Sequence, residues 1–144
     1  MEAQKSFFVT DWLDKRARLT PERTALLDTL TDEEISFAAW NARVNQTANF
    51  LYSLGVRKGD RISVYASNCA EYLDLFFACN KTGAILHNLN WRLTVAELQN
   101  IIAEAGPKIL IYSPEWQPSV TKLKSKLTTV KHMVAIGDSQ LEMA

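Results

Sequence analysis

The sequence predicts an α/β protein built on an open, mainly parallel, doubly wound sheet with flanking helices, preceded by a small β-hairpin region. Three observations carry this. From residue 61 onward, short apolar stretches alternate with helical ones in the order strand, helix, strand, helix, strand, helix, strand, an order that requires right-handed crossovers and a parallel sheet. The strand candidates, such as Ile109-Leu110-Ile111, are apolar throughout rather than alternating, as suits a sheet covered on both faces. The 144 residues are 47% apolar and 22% charged, enough to bury one core and too apolar for general disorder. The organisation expected is one domain over residues 1–144, with a helix and hairpin region at about 10–60 and βαβ units at about 61–137.

Taken in order, Phe8, Trp12, Leu13 and Ala17 fall near helical spacing, predicting a short amphipathic helix from Thr10 to Arg18 that lays Trp12 on the domain. Thr20-Pro21-Glu22 reads as a turn. Thr24 to Leu27 and Ile35 to Phe37 are short strand candidates, and the polar, acidic stretch Asp28 to Glu34 between them makes a hairpin. Between residues 38 and 54, Trp40, Val44, Thr47, Ala48, Leu51 and Leu54 form one apolar stripe of a helix. Gly55 ends that helix where a left-handed residue is wanted, with Val56 folding back on the last turn. Gly59-Asp60 makes a second turn, and Arg61 to Ala66 is a strand. Asn68-Cys69-Ala70-Glu71 has the form of a helix cap. The helix it opens, with Tyr72, Leu73, Leu75, Phe76, Phe77, Ala78 and Cys79, is apolar nearly all round and should be covered on most sides. Gly83 closes it and Ala84 to His87 is the next strand. Thr94-Val95-Ala96-Glu97 is a full capping box, opening a helix that Gly106-Pro107 ends. Lys108 to Tyr112 is a strand, a weaker helix groups Val120, Leu123 and Leu127, and Lys131 to Ile136 is the last strand.

Several function classes find no support. Sixteen basic residues balance sixteen acidic ones, so no net field steers the chain to nucleic acid or an anionic surface. No apolar run is long enough to span a bilayer, and the first residues, Met-Glu-Ala-Gln-Lys-Ser, do not resemble a secretory signal. Cys69 and Cys79 are ten positions apart in one predicted helix, roughly 15 Å at ~1.5 Å per residue, too far for a disulfide. Two buried thiols point to a reducing compartment, hence the cytoplasm. No His or Cys cluster has metal-ligand spacing, and His87 and His132 read as packed residues on strands. Lys122, Lys124, Lys126 and Lys131 read as a solvated face. No catalytic, cofactor-binding or metal-ligating residue is assigned within the chain.

The motifs carry a family resemblance. Ala48-Asn49-Phe50-Leu51 with Leu54-Gly55-Val56-Arg57-Lys58-Gly59-Asp60-Arg61-Ile62, then Asn68, Glu71 and Tyr72 with Lys81-Thr82-Gly83-Ala84-Ile85, then Leu89-Asn90-Trp91-Arg92-Leu93, together resemble the early part of the adenylate-forming superfamily of acyl-CoA synthetases, luciferases and peptide-synthetase adenylation domains. Ile35-Ser36-Phe37-Ala38-Ala39-Trp40 stands in the place of an earlier signature and departs from it, with Ala39 where Glu is usual and Trp40 where Leu is usual. The resemblance covers about residues 10 to 115 and implies an incomplete amino-terminal subdomain of the adenylate-forming ligase fold.

That resemblance implies a parent enzyme that activates a carboxylate, with a fatty acid the expected substrate, using ATP and magnesium to form an acyl-adenylate and then acyl-CoA with coenzyme A. The chemistry needs a flexible Gly/Ser/Thr-rich loop with a Lys, because backbone amides must approach the phosphates. The five glycines, at 55, 59, 83, 106 and 137, are isolated from one another, and none lies in such a run. The expectation is therefore a fragment inactive alone, whose partners are the remainder of the parent enzyme and, through uncovered surfaces, a second copy of itself. The alternative is a non-catalytic α/β scaffold or interaction module derived from that fold; a small flavodoxin-type nucleotide-binding domain is a third reading.

Overall fold

The computed structural model describes residues 11–29 and 31–137; the expected contribution of Phe8 and Thr10 to the first helix lies outside them. The chain divides into two compact units, Met1–Asn41 and Ala42–Ala144.

In the first unit, α1 (Trp12–Leu19) starts at Asp11, whose side chain accepts the Asp14 N–H as an N-cap should. Its buried side is not the expected one. Leu13 is 2% exposed, whereas Trp12 is 71% exposed. Both residues are apolar, so periodicity alone could not say which stripe turns inward. The turn at Thr20 leads to the antiparallel hairpin of β1 (Thr24–Asp28) and β2 (Glu33–Ser36). The second strand ends one residue earlier than expected. Ser36 Oγ accepts the Ala39 N–H at 3.3 Å, so Phe37 opens α2 (Phe37–Ser53) instead of closing β2.

The second unit holds most of α2 and a four-stranded parallel sheet of β3 (Arg61–Tyr65), β4 (Ile85–Asn88), β5 (Ile109–Tyr112) and β6 (His132–Ala135), in the order β4-β3-β5-β6. The chain steps from β3 outward to β4, then returns past β3 to β5 and β6. Right-handed crossovers in opposite directions place α3 (Ala70–Thr82) on one face, and α4 (Val95–Ala105) and α5 (Gln117–Leu123) on the other. Short 3-10 turns at Pro114–Trp116 and Lys124–Lys126 flank α5. On the α4 and α5 face, Tyr65, Leu110 and Tyr112 pack with Leu98, Ile102, Val120, Leu123 and Leu127. Ile62, Val64, Ile109 and Ile111 alternate to the opposite face and are fully buried. The central strands are thus apolar on both sides, while β4 and β6 stand at the edges.

Along α2, Trp40, Val44, Thr47, Ala48 and Leu51 are buried as the stripe requires, and Leu54 is half-buried. The helix ends in two bonds of a Schellman cap: Val56 N–H to Leu51 C=O at 3.0 Å and Gly55 N–H to Tyr52 C=O at 2.9 Å, with Gly55 at φ +80°. Two expectations for α3 need correction. The residue at its N-cap is Cys69, with no side-chain cap bond, so Asn68 and Glu71 do not form a capping box and Cys69 stands before the helix, only half-buried. The helix is also less covered than its composition suggests, with Leu73 42% and Phe76 53% exposed. One side of α3 meets the sheet, and nothing among the described residues covers the other. The Thr94 capping box is present, with reciprocal bonds between Thr94 and Glu97. No helix among the described residues is long and apolar enough to cross a membrane.

Candidate functional site

The residues of the sequence motifs gather at opposite ends of the sheet. Gly55 to Arg61, Gly83 to Ile85 and Lys108 meet where β3, β4 and β5 begin. Gly59 N–H donates to Gly83 C=O at 2.9 Å, Ile85 N–H to Asp60 C=O at 2.8 Å and Lys108 N–H to Arg61 C=O at 2.9 Å. Asp60 Oδ2 accepts from Arg57 N–H and from Lys108 Nζ, each at 2.8 Å, and the same ammonium donates to Gly55 C=O. The hydrogen bond from Lys108, then that from Arg57 N–H, holds the Asp60 carboxyl below the usual range. Gly83, at φ +73°, has room for no side chain, because a Cβ there would meet Lys58 Cγ at 2.9 Å. This corner is a brace. Its cation and carboxylate satisfy each other, and it lies at the amino ends of the strands, away from where open α/β sheets bind ligands.

Ligands of such sheets sit outside the carboxyl ends, where strand order reverses. Here that point lies between β3 and β5. The backbone ladder runs one bond past the strands, with Ser113 N–H to Tyr65 C=O at 3.0 Å and Leu89 N–H to Val64 C=O at 2.9 Å. Ser67 Oγ donates to Glu115 at 3.1 Å, tying the loops after β3 and β5. Tyr65 and Trp116 rings lie 5.1 Å apart and Trp116 and Trp91 6.0 Å apart. Arg92 caps the outer ring of Trp91 at 4.6 Å, a cation–π contact. Asn90, Trp91 and Arg92 of the third motif therefore stand at this rim; Trp116, outside every motif, completes the aromatic row. No sequence signal marked it beyond its place just after a strand.

Beside this rim, a cavity of about 250 Å³ opens among α2, α3 and the end of β6, lined by Arg43, Gln46, Glu71, Asp74 and Gly137 among others. Arg43 and the buried Asp74 form a two-pronged ion pair, Nε to Oδ2 at 2.8 Å and an Nη to Oδ1 at 3.1 Å. Sequence reading missed this pair, because nothing local to either helix announces it.

His87 Nδ1 lies 2.7 Å from Ser63 Oγ, a Ser–His contact that the sequence did not reveal. Ser63 is fully buried in the sheet, so no substrate reaches it and the contact satisfies a buried hydroxyl. Burial, then the charge of Arg61, holds the His87 ring below its ordinary pKa. His132 is half-buried on β6. Burial pushes the Cys79 thiol up to about 12 and raises that of Cys69, so neither is an activated nucleophile. Among the described residues no group of three or more His, Cys, Asp and Glu side chains could hold a metal. The left-handed glycines at 55, 59, 83 and 106 end helices or turns away from the carboxyl rim, while Gly137, also left-handed, follows β6 and lines the cavity.

The AMP-binding enzyme family model matches residues 13–143. The chain belongs to that family. A feruloyl-CoA synthase of an Amycolatopsis species is 38% identical over 112 residues, covering 78% of this chain and 22% of that protein. A long-chain-fatty-acid–CoA ligase of Mycobacterium tuberculosis is 32% identical over 114 residues, 79% of this chain and 23% of that one. Among solved structures, the N-terminal domain of a fatty acyl-CoA synthetase of M. tuberculosis superposes with a TM-score of 0.88 at 29% identity, over 93% of this chain and 36% of that one. O-succinylbenzoate coenzyme A synthetase of Bacillus subtilis, in complex with ATP and magnesium, gives 0.79 at 28% identity over 92% and 34%. The chain thus spans about a quarter of the length of the curated relatives it matches.

Proposed function

We propose that this chain is the amino-terminal portion of an ATP-dependent carboxylate–CoA ligase that forms an acyl-adenylate and then an acyl-CoA, and that it is inactive alone. The observation that carries the reading is the family match from residue 13 to 143, with acyl-CoA ligases among its relatives. A fatty acid or an aromatic acid is the substrate class those relatives' names suggest. ATP, magnesium and coenzyme A belong to the complete enzyme, and the two unpaired thiols agree with a cytoplasmic place.

The partner of this piece is then the remainder of the ligase. The exposed Leu73, Phe76 and Ile85 on α3 and β4 support a surface that further protein covers; without it, a second copy of the chain takes that place. ATP–pyrophosphate exchange with a panel of fatty and aromatic acids tests the reading. Exchange is expected from the complete ligase and none from the 144-residue chain; exchange by the short chain would overturn the claim that it is inactive alone.

A further inference from the structure

We propose that the rim formed by the amino ends of β3, β5 and β6 docks an acidic amphipathic helix of a partner protein. Charge in the second unit is sorted along the strand direction. Arg57, Lys58 and Arg61 precede or open β3, Lys124 and Lys126 follow α5, and Lys131 precedes β6; all six are exposed. Among the described residues none of the six is in an ion pair. Of the carboxylates at this end, Asp60 is held by Lys108, and the other is Glu104 in the last turn of α4. Glu71, Asp74, Glu97 and Glu115 lie in the opening turns of α3, α4 and the 3-10 turn after β5, at the opposite end. The overall balance of sixteen basic and sixteen acidic residues conceals this separation.

Helix dipoles account for only part of it. Four helices end at the rim, each with about half a negative charge, about two in all, and six exposed cations exceed that. Their placement adds a second sign. Lys108 N–H donates to Arg61 C=O at 2.9 Å and Lys131 N–H to Lys108 C=O at 2.8 Å. Three cationic residues therefore stand side by side on adjacent strands, about 4.8 Å apart, an arrangement that costs stability. Of the three, Lys108 alone has a carboxylate. Spacing selects the occupant. Carboxylates three or four residues apart on a helix repeat every ~4.5–6 Å, which brackets the strand spacing. Phosphates along a nucleic-acid strand repeat every ~3.4 Å of axis and drift out of register. Apolar contact is available beside the charges. Tyr52, near the end of α2 and 5.7 Å from the Arg57 guanidinium, is 46% exposed, and Ile85, which opens β4, is 47% exposed. A helix with glutamates on one stripe and leucines on the next meets both. Docked there, it leaves the carboxyl-end crevice open.

Fluorescence anisotropy of the whole chain with a labelled helical peptide tests the proposal, the peptide carrying glutamates at every third or fourth position and leucines along the neighbouring stripe. Saturable binding that weakens with added salt is expected, and weaker binding by a peptide of the same composition in scrambled order. Lys131→Gln should weaken binding about threefold, the scale of one exposed ion pair. Arg61→Gln, Lys126→Gln and Lys131→Gln together should weaken it roughly 30-fold, while Arg92→Gln at the other rim leaves it unchanged. All three positions are exposed, and an unchanged circular dichroism spectrum confirms folding. Equal binding of the scrambled peptide, no binding, or wild-type affinity of the triple variant would overturn the proposal. So would tighter binding of oligothymidylate of equal charge or of phosphatidylglycerol vesicles, which assigns the rim to nucleic acid or lipid. Binding by the chain that the complete ligase lacks would overturn it too, since the remainder of the ligase then covers the rim.

Discussion

A methyl group at Gly83 meets the Lys58 side chain at 2.9 Å, whereas one at Gly55 meets nothing within 4 Å. Both glycines are left-handed, at φ +73° and +80°, so alanine pays the conformational penalty of about 1 kcal/mol at each. Only at Gly83 does a steric cost add to it. Gly55→Ala should therefore lose about 1 kcal/mol and Gly83→Ala about 2 kcal/mol, read from urea midpoints. Lys108→Met leaves Asp60 and the Gly55 carbonyl without their cation, at a cost of about 1–2 kcal/mol. Asp60 titrates lower in the folded chain than its unfolded value of about 3.9. Its contribution is therefore complete above about pH 4 and is lost as pH falls through the folded value. A urea series against pH should show a shallower acid slope for Lys108→Met than for the wild type.

Among elements, α3 and α4 begin in contrasting ways. Thr94 caps α4 reciprocally with Glu97, so Thr94→Ala should cost about 1 kcal/mol. Asn68 makes no cap for α3, so Asn68→Ala should fall within about 0.5 kcal/mol of wild type; thermal melts of the two variants separate the cases. The four parallel strands were legible because each is a short apolar run set off by a glycine or proline turn or a polar segment. Boundaries were legible only where a single chemistry acts. At Ser36 a strand-forming run and a helix cap coincide, and the hydroxyl's bond to Ala39 N–H decides in favour of the helix. In α1 two apolar stripes compete, and only tertiary packing selects Leu13 over Trp12.

For the whole molecule, β4 is an uncharged edge strand, Ile85-Leu86-His87-Asn88, in a chain that also exposes Leu73 and Phe76 on the helix before it. Edges without lysine or proline invite pairing. Sedimentation velocity should show concentration-dependent association of the chain, and Phe76→Lys should reduce it; a monomer at all concentrations would sink the idea. The candidate site was less legible than the fold. Asn90, Trp91 and Arg92 could be named from a motif, but the Arg43–Asp74 pair and the Trp116 stack join residues distant along the chain, and no local spacing records such contacts. The motif letters from 55 to 61 report a brace at the amino rim, so they identify the frame and say little of the acid it serves.

The brace has a temporal consequence. Lys108 reaches Gly55 and Asp60, 53 and 48 positions earlier in the chain, and contacts that distant form late because the loop between them must close first. During synthesis, the turn at Gly59 cannot acquire its final bonds until residue 108 has left the ribosome. The signature around Gly59 is thus among the last parts to take shape.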